Sequence, residues 1–392
     1  MKIMIIHQVP YPKMQYHLGL DHQQHDITYI GYPARMADLP ASLRAQRLLL
    51  NDGEDLADGV IRQTSPQDGY QAVLSLSEFG ILQAYRVRQH LGVPGDDLAM
   101  LLRVRDKVAM KAALHGSGID FPRFFPAQGL SAPDWQGQTV LKPRKGASSE
   151  GVRIYPAMDQ AWAAFAELQD GEDWQLEEYI EGSIHHADGL VQAGQLVDLT
   201  VSRYLNKPVD FAEGSPLGSY QLPTDPRHFA FAVDVVQALG IRDGCLHLEF
   251  FETADKRLVF LEVANRMGGA GVVDAHWRHG GIHLPSHEIA IRLGLPRPRP
   301  QPGSGRFHGW LVFPGHHLGE GEADLRLPED LASDPRVDRL HTLPAGQALS
   351  QHITYHEWQV PVFIEASDES PQALAVFFND CMRRIQINRR PI

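Results

Sequence analysis

The chain has 392 residues, 43% of them hydrophobic, which is ample for a buried core and favours two or three structural units over one. Its net charge of -12 argues against general binding to nucleic acid or anionic membranes, because phosphate-rich surfaces are held mainly by an excess of Lys and Arg. With two cysteines, Cys245 and Cys381, a disulfide framework or a Cys-based metal site is disfavoured and a reducing cytoplasm fits.

The opening run MKIMIIHQVPYP has only a brief apolar stretch and reads as a first strand, not a signal peptide. No later segment has the uninterrupted apolar length that spans a bilayer. Residues 1–98 alternate short apolar runs with helix-like stretches, the pattern of an open, mostly parallel α/β unit. Its clearest piece is AVLSLSEFGILQAYRVRQHLG: a buried strand from Ala72 to Leu76, then helical periodicity from Gly80 to Leu91 ending at Gly92. Ser77 and Glu78 stand at the carboxyl edge of that strand, where open sheets bind ligands, and equally where they would cap the helix.

Beyond this unit, DDLAMLLRVRDKVAMKAALHGSG reads as a helix with a Gly-Ser-Gly stop. From there to about residue 180 the chain reads as a small α/β section: strand TVLKPR, a small-residue loop, strand GVRIY, helix MDQAWAAFAELQ and strand WQLEEYI. Residues 184–265 read as strands interrupted by a long surface loop at 206–223, where Gly, Pro and Ser break all periodicity. After the stiff connector RPRPQPGSG a carboxyl-terminal unit begins at about 301. The twenty histidines are scattered, and pairs such as His185-His186 and His316-His317 lack a helical i, i+4 spacing with a partnering carboxylate; they read as solvated or core residues, not zinc ligands.

The loop in TVLKPRKGASSEGVRIY carries Lys142, Arg144 and Lys145 beside small residues. A phosphate-binding P-loop leads from strand to helix with its Lys after the glycines, whereas this loop joins two strands and Lys142 precedes it. A kinase glycine loop needs denser glycines and its Lys on a later strand. What remains is a hairpin whose backbone N-H groups and serines fold over phosphates above a lysine, or a plain surface hairpin with a Gly-Ser turn. Downstream, GCLHLEFFETADKRLVFLEVANRMGGAG places Glu249 and Glu262 amid apolar residues on two strands joined by a turn. In an antiparallel pair the two acids approach on one face and repel unless a cation lies between them. With Asn265 as a neutral oxygen donor nearby, this is a magnesium pattern, although Glu262 has Arg257 and Arg266 as alternative partners.

The order RDKVAMK, VLKPRKGASSEGV, LEEYIEG, HLEFF and LEVANRMGGAG resembles the ATP-grasp superfamily, nearest its carboxylate-amine ligase branch, over roughly residues 100–295. The resemblance implies an α/β (α+β) ATP-grasp fold: an N-terminal open parallel domain over 1–98, an ATP-grasp domain over 99–300 with a lid subdomain at about 118–180 and a C-terminal mixed sheet, and a C-terminal extension over 301–392. It implies that Lys107 and Lys142 reach the phosphates of ATP and that the loop from Gly146 through Ser148 and Ser149 to Gly151 and Val152 closes over them. Glu177, Glu178, Tyr179 and Ile180 would meet the adenine, and Glu249, Glu262 and Asn265 would hold Mg2+, for which Mn2+ would substitute. Arg266, beside Gly268 and Gly269, would face the transferred phosphoryl group or the substrate carboxylate. Many relatives hold the ribose with an acid where this chain has Ile184; His185, His186 or Asp188 are the substitutes within reach in sequence.

The implied activity is ATP-dependent amide formation through an acyl phosphate, releasing ADP, on small carboxylate and amine substrates resembling amino acids. Arg203, the 206–223 loop, His276, Arg278 and Glu78 are the candidates for substrate selection; Arg203 equally suits a surface salt bridge, and His276 reads first as a helix cap. A ligase charging a carrier-protein thiol and a small-molecule kinase remain alternatives, and a homodimer is left open.

Overall fold

A computed structural model of the chain describes residues 1–126 and 128–390; Ala127, Pro391 and Ile392, which fall within the expected lid and C-terminal units, lie outside the described residues. The first strands form a four-stranded parallel sheet in the order Gln46–Leu49, Asp26–Gly31, Lys2–Ile6, Ala72–Ser75. Its central strand reads KIMII, an apolar run with no alternation, because helices and neighbouring layers bury both of its faces. The helix Ile81–Leu91 that follows the last strand stops at Gly92, whose φ of 67° is cheap only for glycine. Residues Leu76 to Phe79 lie between that strand and that helix, at the carboxyl edge of the sheet.

A second, antiparallel sheet of four strands runs in the order Phe124–Phe125, Trp174–Glu178, Thr139–Pro143, Arg153–Tyr155. Helix Met158–Ala166 covers it over a small core of Trp135, Leu141, Ala161 and Leu176. The largest sheet has eight strands, in the order Leu258–Ala264, Gly244–Glu252, Ser183–Gln192, Gln195–Tyr204, Leu217–Gln221, Phe307–Phe313, Val362–Asp368, Val337–Thr342. Its named strand pairs are all antiparallel, where a mixed sheet was expected. Of the strands after residue 300, three continue this sheet, while Glu322–Arg326 and Gln386–Arg390 pair separately. Among the described residues no helix is long and apolar enough to cross a membrane.

Alternation fixes what each face of the large sheet presents. Along Gly244–Glu252, Leu246, Leu248 and Phe250 pack with Phe231, Val235 and Leu239 of helix Pro226–Leu239, so His247 and Glu249 face the other way. On the edge strand a bulge breaks the alternation: Glu249 pairs with Glu262, but Phe250 pairs with Phe260, leaving Leu261 extra.

Three expectations are corrected here. The 206–223 stretch is not a surface loop; it holds a short helix, Pro208–Ala212, and the fully buried interior strand Leu217–Gln221. That strand, LGSYQ, hides its nature because small residues are what fit there: a Cβ on Gly218 would lie 2.5 Å from Leu205 Cδ1. Residues 184–265 also include helix Pro226–Leu239, started by Asp225, whose side chain accepts from the Arg227 N-H. Finally, the expected single helix before residue 115 is two, Leu98–Arg103 and Lys107–Leu114, separated where Asp106 caps the second by accepting from the N-H groups of Val108 and Ala109. That break sets Lys107 on the first helical position.

Phe250 is fully buried against Phe231, His185 and His228. Phe250→Ala should lower unfolding free energy by about 3–5 kcal/mol, measured by chemical denaturation, since transfer and cavity costs add; a loss under about 1 kcal/mol would contradict this packing.

Candidate active site

Two adjoining cavities share Lys107, Gly146, Ala147, Ser149, Glu249 and Glu262 in their walls. The first is a narrow slot of about 120 Å³ between the small and large sheets, with Val140, Ile154, Ile184 and Leu261 among its apolar walls. The second is a chamber of about 390 Å³ bounded by the large sheet, the carboxyl edge of the parallel sheet and residues Ile353 to His356 of the C-terminal region.

Of the expected nucleotide residues, Lys107, Lys142, Gly146, Ser149, Val152, Glu177, Glu178, Tyr179 and Ile180 all line the slot. Ser148 lines the chamber instead. Gly151 lines neither; its φ of 73° turns the loop back, and a Cβ there would meet Pro143 and Trp174 at 3.2 Å. Ser148 and Ser149 are also left-handed, at φ 57° and 55°, a conformation that turns consecutive backbone N-H groups toward one concavity.

Glu177 is not free to meet a ligand directly. Its carboxylate, almost wholly buried, forms ion pairs with Lys142 at 2.7 Å and with Lys111. Burial pushes the Glu177 pKa up, but the two ammonium groups outweigh it and hold the carboxyl below its ordinary range. Burial pulls Lys111 down to about 8 against the attraction of Glu177, so both remain charged at neutral pH. Lys111 went unnoticed in the sequence; the available signal was its i, i+4 spacing from Lys107 in KVAMKAAL, which puts both ammonium groups on one helix face. Lys207, also unnoticed, lines the slot and bonds the Tyr179 hydroxyl.

At the junction, Lys107 Nζ pairs with Glu262 Oε2 at 3.0 Å and donates to the Gly146 carbonyl at 2.8 Å, tying helix, edge strand and loop together. Burial raises the Glu262 pKa, yet Lys107 and Lys142 overcome it and keep the carboxyl well below its usual range. Glu249, directly opposite, accepts from the Tyr204 hydroxyl at 2.8 Å. Two in-register carboxylates, with oxygen donors only, suit a hard cation such as Mg2+ that takes its remaining ligands from water or phosphate. Asn265 does not join them: its amide donates to the carbonyls of Cys245 and Asp243 and its Oδ1 accepts from Arg292, which turns it into a brace.

Arg266 donates to Glu78 Oε2 at 2.8 Å, and Arg105 approaches the other oxygen of Glu78 at 3.3 Å. The chamber thus joins residue 78 of the parallel sheet to residue 266 after the edge strand, and Gly268 and Gly269 line it beside them. A Cβ on Gly268 would meet Asp188 Oδ1 at 2.7 Å, so only glycine lets this turn rest on that carboxylate.

The other expected residues lie elsewhere. His186 is buried behind the chamber, its Nδ1 on Asp188 at 2.5 Å and its Nε2 on the Ser219 hydroxyl at 2.6 Å, so it lines neither slot nor chamber. Asp188 is bonded in turn by His247 Nδ1 at 2.7 Å. Burial works against charge on His247, yet Asp188 lifts its pKa to about 10. Arg203 is exposed on the opposite face from Ser202 and Tyr204, because strand alternation turns it away from the chamber. His276 neither caps a helix nor enters the chamber; its Nε2 bonds Asp198 at 2.7 Å. Arg278 pairs with Glu365 at 3.2 Å outside both cavities.

Parallel sheet, small antiparallel sheet and large antiparallel sheet meeting around such a slot define the ATP-grasp fold, and the chain has that fold. It superposes on the crystal structure of an L-amino acid ligase from Bacillus licheniformis with a TM-score of 0.74 and 20% identity, over 99% of this chain and 98% of that one. In sequence it is 26% identical over 218 residues to the L-arginine-specific L-amino acid ligase of Bacillus subtilis, an alignment covering 52% of this chain and 53% of that protein. The chain therefore spans about half the length of that curated relative. A biotin carboxylase domain from Hydrogenobacter thermophilus, solved with magnesium ADP and bicarbonate, matches with a TM-score of 0.66 and 12% identity over 99% of this chain and 90% of that one. No family model matches the sequence.

Glu177→Gln should strand two buried ammonium groups and cost about 3–5 kcal/mol in denaturation experiments. Because the folded pKa of Glu177 lies below 4.5, its contribution is complete above that value and is lost as the pH falls through the folded pKa. The variant should therefore show a flatter acid limb than the wild type, and an unchanged acid limb would contradict the assignment.

Proposed function

We propose that this protein is an ATP-dependent ligase that activates the carboxylate of an amino acid as an acyl phosphate, releases ADP, and joins the acyl group to an amine. The observation that carries this reading is the position of Glu249, Glu262 and Lys107 at the junction of two cavities, one narrow and apolar, the other roomy and lined by Arg266, Arg105 and Glu78. A nucleotide in the slot would point its phosphates at the junction, where the chamber delivers the carboxylate. Likeness to two L-amino acid ligases supports the substrate class.

A carboxylate is a poor electrophile because oxide is a poor leaving group; attack of its oxygen on the γ-phosphorus replaces that oxide with phosphate. Phosphoryl transfer asks a protein chiefly to position the groups and stabilise spreading negative charge. Lys107 and Lys142 would lie along the polyphosphate, and Arg266, already oriented by Glu78, would present its remaining guanidinium edge to the reacting oxygens. Glu249 and Glu262 would hold Mg2+, which when bound neutralises phosphate charge. The turn from Gly146 to Gly151 excludes water, which would otherwise hydrolyse the acyl phosphate; Lys107 fastens its first residue. An amine entering the chamber then attacks the acyl carbon and expels phosphate.

With ATP, magnesium and amino-acid pools, the wild type should release ADP and phosphate, and hydroxylamine should divert the acyl group to a hydroxamate. Glu262→Gln should lower turnover by more than about 100-fold while the circular dichroism spectrum stays native. Undiminished turnover in that variant, or AMP and pyrophosphate from the wild type, would contradict the proposal.

A further inference from the structure

Most cations that line the slot and chamber come with carboxylate counter-charges. Lys107 has Glu262, Lys142 has Glu177, and Arg105 and Arg266 share Glu78. In the slot Lys207 has the Tyr179 hydroxyl in place of a carboxylate, and in the chamber Lys13 likewise lacks a carboxylate partner. It lies on the short helix Tyr11–Met14 that follows the first strand, and it lines the chamber without reaching the slot. Its Nζ donates to the carbonyl of Ala270, 2.9 Å away, on the turn that follows Arg266. Among the described residues no carboxylate comes within 4.0 Å of it.

A half-buried ammonium group given only a carbonyl is incompletely compensated. Burial pulls its pKa down to about 8, with Asp274 opposing from a distance, and it remains mainly cationic at neutral pH. An anion inside the chamber would complete it. The nucleotide phosphates do not serve, since Lys13 has no place in the slot. The activated carboxylate does not serve either: it must lie at the junction with Glu262 and Lys107, and it gives up its charge when it becomes an acyl phosphate.

We propose that Lys13 binds a second substrate carboxylate, one that stays anionic through the reaction. In amide formation between amino acids that group is the α-carboxylate of the acceptor, or else a side-chain carboxylate of the donor. The inference rests on the ligase reading above. It makes Lys13 a specificity-determining residue contributed by the parallel sheet, and gives that unit a direct part in substrate choice.

The test compares wild type, Lys13→Met and Lys13→Arg by ADP release with magnesium ATP. One arm pairs acceptor amino acids with their α-carboxamides; the other pairs aspartate and glutamate with asparagine and glutamine as donors. Wild type should favour the free acid in one arm by about 10-fold to 100-fold in kcat/KM, the arm identifying which carboxylate is bound. In Lys13→Met that ratio should fall toward one through a rise in KM, and Lys13→Arg should recover part of it. Affinity for a fluorescent ATP analogue, measured alongside, should match wild type and so certify the fold. If ADP is released but the acid-to-amide ratio in Lys13→Met equals that of wild type in both arms, Lys13 is not the carboxylate site. If wild type releases no ADP with any amino acid, the ligase reading itself fails and this inference falls with it.

Discussion

Two carboxylates in register on neighbouring strands are a liability that the surrounding structure must answer. At the cross-strand spacing of about 5 Å, two like charges repel by about 3 kcal/mol at an effective dielectric constant of 20. Glu249 and Glu262 are in that relation, and the bulge at Leu261 holds them there. Much of the site follows from the answer. Lys107 balances Glu262 from the first position of a helix, Tyr204 donates to Glu249 from two strands away, and the remaining negative charge makes the junction a place for a cation. The chain has built a site that is electrostatically unfinished without its ligands.

The same logic extends outward through shared partners. Lys107 also holds the Gly146 carbonyl, so the acid that it balances and the loop above the slot are linked through one side chain. Glu177 balances Lys142 and Lys111 together, and Glu78 balances Arg105 and Arg266, joining the parallel sheet to the large one. Beneath the glycine turn, Asp188 takes bonds from His186 and His247 and receives Gly268 against its oxygen. These arrangements keep charged side chains oriented before any ligand arrives, which reduces the reorganisation that binding would otherwise cost.

Much of this was legible in the sequence, and the reasons are physical. Lys142 before a loop of small residues, and Glu249 and Glu262 amid apolar neighbours, are local patterns that a hairpin brings together, although the bulge at Leu261 lies outside what alternation shows. The misses depend on register or on distant partners. Asn265 comes only three residues after Glu262, yet its amide is claimed by carbonyls of the neighbouring strand, which no spacing rule shows. His186 and Ile184 share a strand face, but only the packing shows that Ile184 reaches the slot while His186 sits beneath Tyr204 against Ser219. Strand Leu217–Gln221 escaped because close packing on both faces selects glycine and serine, the residues that otherwise mark loops. Lys13, far from every motif, becomes visible only when its missing counter-charge is set beside those of its neighbours.

The central claim is that an oxygen of the substrate carboxylate becomes bonded to the γ-phosphorus. Carboxyl-18O-labelled amino acid, turned over with ATP, magnesium and an amine acceptor, tests it directly by mass analysis of the phosphate released. Transfer of one labelled oxygen into inorganic phosphate for each amide formed is the result this account predicts. Unlabelled phosphate accompanying amide formation, or label found in AMP, would contradict it.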